Sequence, residues 1–265
     1  MSDKITKPIN INFPVVPDSL DNAVQNLTDA PTKGMGKTLS DVWYLVFGGI
    51  TQIADKRRMK YAHELELYRQ ELQDAISEIP QEKKAEPDIQ VTAQALENSK
   101  YCVESEELRA LFVNLISNSM NNDFTENIHP SFAEIIKQMS PLDAKILKTI
   151  NPKEPFPLAS YRLKDTNSFN YITALSNIYI PPFEYISLEQ ICTSISSLER
   201  LGIIEIVTGS ILSDKDFYKP FEETKYYQEL SSDPKCLDGS WEAQSRHYLG
   251  RLTPLGQNFF EVCVK

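Results

Sequence analysis

Some short patterns in this chain carry the residue types from which catalytic and ligand sites are built. The segment 31–38, PTKGMGKT, ends in the Gly-Lys-Thr of a phosphate-binding loop. Such a loop needs a glycine where Pro31 stands and a buried strand ahead of it, so that backbone amides converge on phosphate. Neither is present, and the segment reads as a turn between helices with Lys37 solvated. His63-Glu64 begins like a zinc-protease helix, but Leu67 occupies the position of the second histidine. The chain has three histidines, His63, His129 and His247, and none has a partner at ligand spacing. Cys102, Cys192, Cys236 and Cys263 are scattered, which fits free thiols in a reducing compartment. Glu104, Glu106 and Glu107 cluster where a helix begins, and complementing the helix dipole explains them. No serine sits in a glycine-flanked elbow. The sequence therefore predicts no catalytic residue, no cofactor and no metal site.

What remains is surface chemistry. Lys56, Arg57, Arg58 and Lys60 form the one dense basic cluster, and the aromatic-rich segment holding Trp43 and Phe47 precedes it. That order suits a patch facing an anionic membrane or a partner. The alternative is that the aromatics pack inside a bundle while the cations pair with carboxylates. Further along, Thr193, Ser197 and Arg200 share the outward side of a predicted helix. Arg246 and Arg251 flank the strand after it, making a candidate surface for nucleic acid or a partner.

The whole-chain charge argues against nucleic acid as the default partner. Against 27 Lys and Arg stand 37 Asp and Glu, for a net charge of −10 over 265 residues. Phosphate binding draws on cations, so only a local basic face would override this balance. A hydrophobic fraction of 41% provides for a real core. The longest apolar run, 42–50, is about half a membrane span. The expected location is the cytoplasm, with peripheral membrane contact as an alternative.

The elements that position these groups read as follows. Residues 1–17 form an extended arm, and 18–139 a bundle of long helices. Asp18 caps a helix over 19–27, and a second covers 39–47 before the Gly48-Gly49 hinge. Tyr61, Leu65, Tyr68, Leu72, Ala75 and Ile79 form a heptad-like seam. Its antiparallel partner begins after the proline-bounded turn at 80–87, with Ile89, Ala93 and Leu96 inward. Leu108, Leu111, Phe112, Leu115 and Ile116 mark a deeply buried helix. Pro130 opens a short helix. Ser140-Pro141-Leu142-Asp143 starts a new helix and a second domain, 140–265. An irregular aromatic stretch follows. Ser187–Gln190 is a capping box for a helix that Gly202 stops. Strands at 203–207 and 247–252 and a helix capped by Thr253 complete a winged-helix-like α+β domain. Its wing carries a long insertion, about 208–246. The fold class expected is mainly α.

Four strings carry a family resemblance: PTKGMGKTLSDVWYLVFGGI (31–50), KYAHELELY (60–68), ALENSKYCVESEELRALFVNLISNSM (95–120) and HPSFAEIIKQMSPLDAKIL (129–147). Together they resemble the bacterial abortive infection alpha family, a set of proteins associated with phage defence. The strings hold no catalytic signature, so the resemblance transfers no active-site residue. It implies a role in arresting growth or killing an infected cell. The function expected is a non-enzymatic effector or adaptor acting through macromolecular contacts, with a protein partner from phage or host. A winged-helix DNA-binding regulator and a peripheral membrane-active effector are the rival readings.

Overall fold

The computed structural model describes residues 35–48 and 56–265. The arm at 1–17 and the helix at 19–27 lie outside the described residues. The architecture is mixed α and β. Helix α1 (Met35–Phe47) and helix α2 (Lys56–Ser77) precede α3 (Ile89–Ser99) and α4 (Glu106–Asn118). Helices α5 (Phe132–Gln138) and α6 (Pro141–Thr149) then lead into a hairpin, β1 (Phe156–Asp165) and β2 (Tyr171–Ile178). Helix α7 (Leu188–Arg200) and strand β3 (Ile204–Val207) follow. Next come the short helices α8 (Lys219–Glu222), α9 (Lys225–Ser231) and α10 (Pro234–Leu237). Strand β4 (Trp241–Leu252), helix α11 (Pro254–Phe259) and a π-turn (Phe260–Val264) close the described chain.

The seam on α2 is real, with Tyr68, Leu72 and Ile79 buried. Tyr61 donates to the Lys100 carbonyl at 3.1 Å, so α3 ends where α2 begins and runs antiparallel to it. α4 then returns beside α2 in the same sense, and the polar ties advance together. Lys60 meets Glu104 at 2.9 Å. Arg109, 5% exposed, meets Glu64 at 2.7 Å and Glu71 at 2.8 Å. The centre of the bundle is α4, whose Leu111, Phe112, Leu115 and Ile116 are fully buried. α5 begins after Ser131 instead of at Pro130, with Phe132, Ile135 and Ile136 inward as expected.

One hydrophobic cluster takes residues from both sides of position 140. Phe132 meets Phe259 edge-on at 5.2 Å. Asn118 donates to the Val262 carbonyl at 2.8 Å, and Asn114 to that of Cys263 at 2.9 Å.

The stretch read as irregular is the β1–β2 hairpin, and it builds half the sheet. The four strands are antiparallel in the order β2-β1-β4-β3. Pro157 and the short buried side chain of Ala159 hid the period-two pattern, as did the exposed face of β2. β3 and β4 pair as expected, although β4 starts at Trp241, six residues early. Gly202 stops α7 with φ +75, a left-handed conformation open to glycine.

The segment between β3 and β4 is no loose wing. It folds onto the sheet and makes a second core. Tyr218 and Phe221 pack with Ala159, Tyr161, Ile178 and Cys192. Tyr161 donates to the Phe221 carbonyl, Tyr218 to that of Tyr248 at 2.9 Å, and Tyr227 to that of Ala243 at 3.1 Å. Burial pushes the Tyr161 hydroxyl up to about 12 and the Cys192 thiol likewise to about 12.

Candidate functional site

The residues that shape a cleft between α6 and α7 come from the starts of the two helices. Ser140 caps α6 by accepting from the Asp143 amide at 3.1 Å, and Asp143 accepts from the Ser140 amide at 2.8 Å. Ser187 and Gln190 make the same reciprocal pair at the start of α7. Both capping boxes are written in the sequence. The structure adds that one of them is shared between the helices. Asp143, 2% exposed, also accepts from Ser194 and from Ser197, the latter at 3.0 Å. A single buried carboxylate thus closes α6 and clamps α7 to it. Three donors satisfy the charge, as a buried carboxylate requires.

Between the two helices lies an open cleft of about 660 Å³. Gln138, Lys145, Tyr185, Gln190, Thr193 and Ser197 line it, with Asp143 and Ser194 at its floor. Lys145 is tied to Glu107 at 2.9 Å. Tyr185 is fully exposed and has φ +71, an unusual conformation for a bulky residue. The lining is rich in hydroxyl and amide groups suited to hydrogen bonding with a partner.

The candidate residues separate into distinct places. Thr193 and Ser197 come together in the cleft, and Arg200 borders it by donating to Gln138 at 3.1 Å. Arg246 lies on an exposed part of β4. Arg251 pairs with Glu205 at 3.0 Å across β3 and β4. These five therefore do not form one surface. Trp43 and Phe47, candidates either for a surface patch or for packing inside the bundle, are 7% and 2% exposed. Trp43 meets the Tyr68 ring tilted at 5.4 Å and Phe47 meets it edge-on at 6.4 Å, because the apolar side of α1 docks on the seam of α2. Lys60 is exposed, and its pair with Glu104 raises its pKa. α2 begins at Lys56, and the side chains of Lys56, Arg57 and Arg58 lie outside the described residues.

The Gly36-Lys37-Thr38 of the loop-like motif sits inside helix α1. His63 is exposed on α2, while His129 pairs with Ser131 at 2.7 Å. Among the described residues no group of three or more His, Cys, Asp or Glu could hold a metal ion. All four cysteines are free. None of the described helices is long and apolar enough to cross a membrane.

Sequence reasoning missed Gln138 and Tyr185, and it set Ser194 on the exposed face of α7, where the structure leaves it 2% exposed. The signal for Ser194 was its position between Ile191, Ile195 and Leu198, a hydroxyl on the apolar side of an amphipathic helix that must find a buried partner.

No curated protein and no solved structure matches the chain. A family model, described as abortive infection alpha, matches residues 60–263. That range includes three of the four family-like strings, α2 with its seam, the cleft and the whole sheet, whereas the string 31–50 lies outside it. With most of its length matched, the chain belongs to the abortive infection alpha family.

Proposed function

We propose that the protein is a cytoplasmic effector or adaptor of bacterial abortive infection, acting through macromolecular contacts and without catalysis. Family membership supports the phage-defence setting. The observation that carries the non-catalytic reading is the wiring of Asp143. Its oxygens accept from the Ser140 amide, Ser194 and Ser197, which makes it a structural clamp with little left for proton transfer. The cleft above it offers Thr193, Gln190 and Gln138 to a partner surface.

The decisive experiment is a phage challenge of cells making the protein, combined with recovery of its partner from the same cells. Thr193→Arg and Gln138→Arg block the cleft without touching the core or either capping box. Both are expected to abolish protection and partner recovery while the protein stays folded. If they leave protection intact while a folded Lys145→Met variant loses it, the adaptor reading fails.

We also read residues 140–265 as a winged-helix-like domain following a helical bundle at 18–139. The order α6, β1, α7, β3, β4 and the β1-β4-β3 pairing support this reading. Strand β2 stands where a helix-turn-helix carries its second helix. A DNA-reading role for α7 draws little support from its charges. Glu189 and Glu199 oppose Arg200 on the exposed side, and Arg251 is already paired with Glu205.

A further inference from the structure

The two faces of the sheet are covered differently. Tyr161 and Ala159 of β1 point into the second core, under the helices of the insertion. On the opposite face, Leu158 and Tyr248 lie against the main core, while at its other end Tyr171, Thr173, Glu242 and Arg246 are exposed and Arg162, Lys164 and Gln244 half-buried. There Arg162 pairs in register with Gln244 and Thr173, Lys164 with Glu242 and Tyr171, and Ser160 with Arg246. Residues directly across a ladder share a face, and so do alternate residues along a strand. Arg162, Lys164, Arg246, Gln244, Tyr171 and Thr173 therefore form one surface.

This surface is cationic and ordered in a chain whose net charge is −10. The Arg162 guanidinium donates through Nε and Nη2 to Gln244 Oε1 at 3.1 and 2.9 Å. It lies 5.1 Å from the centre of the Tyr171 ring. Gln244 in turn donates to Glu242 at 2.9 Å, and Glu242 is the carboxylate of the patch. Among the described residues, none of Arg162, Lys164 and Arg246 makes an ion pair. By strand geometry Arg162 lies about 7 Å from Lys164 and about 7–8 Å from Arg246, with Lys164 and Arg246 about 14 Å apart at the two ends of the row. Tyr171 keeps 55% of its surface exposed beside them, and Thr173 is also exposed.

We propose that this open sheet face binds single-stranded RNA. Arg162, Lys164 and Arg246 meet phosphates, and a base stacks on the free side of Tyr171. A flat strand surface with one exposed ring suits unpaired bases, whereas reading a duplex requires an element that enters a groove. The Thr173 hydroxyl, beside Arg162, supplies a partner for the ribose 2′-hydroxyl. This goes beyond the phage-defence reading and does not depend on it.

The test is fluorescence anisotropy of the full chain with a labelled 12-nucleotide RNA, a DNA of the same sequence and the corresponding DNA duplex. RNA is expected to bind with the lowest Kd. Three phosphate contacts predict a salt slope of about −2, or about 20-fold weaker binding on going from 50 to 200 mM salt. Arg246→Glu and Lys164→Glu should each weaken RNA binding at least tenfold, and Tyr171→Ala several-fold. Lys148→Glu, on an exposed part of α6, serves as the charge control and should change little. Circular dichroism establishes that each variant is folded. The proposal fails if RNA does not bind at low salt, or if either DNA binds as tightly. It also fails if a folded Arg246→Glu protein binds RNA like the wild type.

Discussion

Gly256 is held by its neighbours more tightly than by its own helix. A β-carbon there would overlap the Ile203 carbonyl oxygen, backbone that cannot swing aside. The same glycine donates its amide to Thr253, the cap of α11, at 2.9 Å. Gly256→Ala is therefore expected to cost about 2–3 kcal/mol, read as a lower denaturation midpoint, despite alanine's better helix propensity. Arg109 is the second sensitive residue. Its bonds to Glu64 and Glu71 join α2 to α4, and removing it leaves two carboxylates, two turns apart on α2, without their shared cation. Arg109→Ala should lose about 2–4 kcal/mol, the partial exposure of the glutamates keeping it below the cost of a fully buried pair. Single residues were legible in sequence where they obey a local rule. Ser140, Asp143, Ser187, Gln190 and Gly202 all sit in capping motifs decided within four residues. Arg109 and Ser194 were illegible because their partners lie 38 and 51 positions away.

Among elements, the insertion between β3 and β4 has its own sensitivity. His247 faces it from the sheet, stacked on Tyr218 with ring centres 4.3 Å apart. Its Nε2 is buried and unpartnered. Burial lowers its pKa, and the Glu222 carboxylate opposes that shift only in part. The folded protein thus holds His247 neutral at pH values where the unfolded chain already binds a proton. Stability must rise with pH across that range, and it is lost as pH falls below the ordinary histidine value of about 6.5. His247→Phe keeps the stack and removes the proton. Melting curves from pH 7.5 to 5 should show a steeper decline for the wild type than for this variant. The same packing predicts that Cys192, with its thiol pushed to about 12, resists alkylation at pH 8 until the protein unfolds. A length of about forty residues between two short strands reads as a long wing insertion. The tyrosines that fold it back, Tyr218, Tyr226 and Tyr227, follow no helical or strand period long enough to read. The β1–β2 hairpin escaped notice for a related reason, because β2 buries little and so shows no alternation.

For the molecule as a whole, the helical half was readable because long amphipathic segments announce themselves. The sheet half depended on pairings between distant strands. Of the candidate surface residues, Thr193 and Ser197 meet in the cleft, whereas Arg251 pairs with Glu205 elsewhere. Trp43 and Phe47 went to the interior because aromatic rings on a short apolar helix gain more from the α2 seam than from solvent. The cationic sheet face escaped notice because Arg162 and Arg246 are far apart in the chain and meet only through the β1–β4 register.

The asparagines of α4 carry one last implication. Asn114 reaches the Cys263 carbonyl across 149 positions. During synthesis, the most buried helix of the bundle lacks the partners of both asparagines until residues 262 and 263 have left the ribosome. Docking the π-turn on α4 is then a late closing step, and a chain cut short within the sheet would leave Asn114 and Asn118 without these carbonyls.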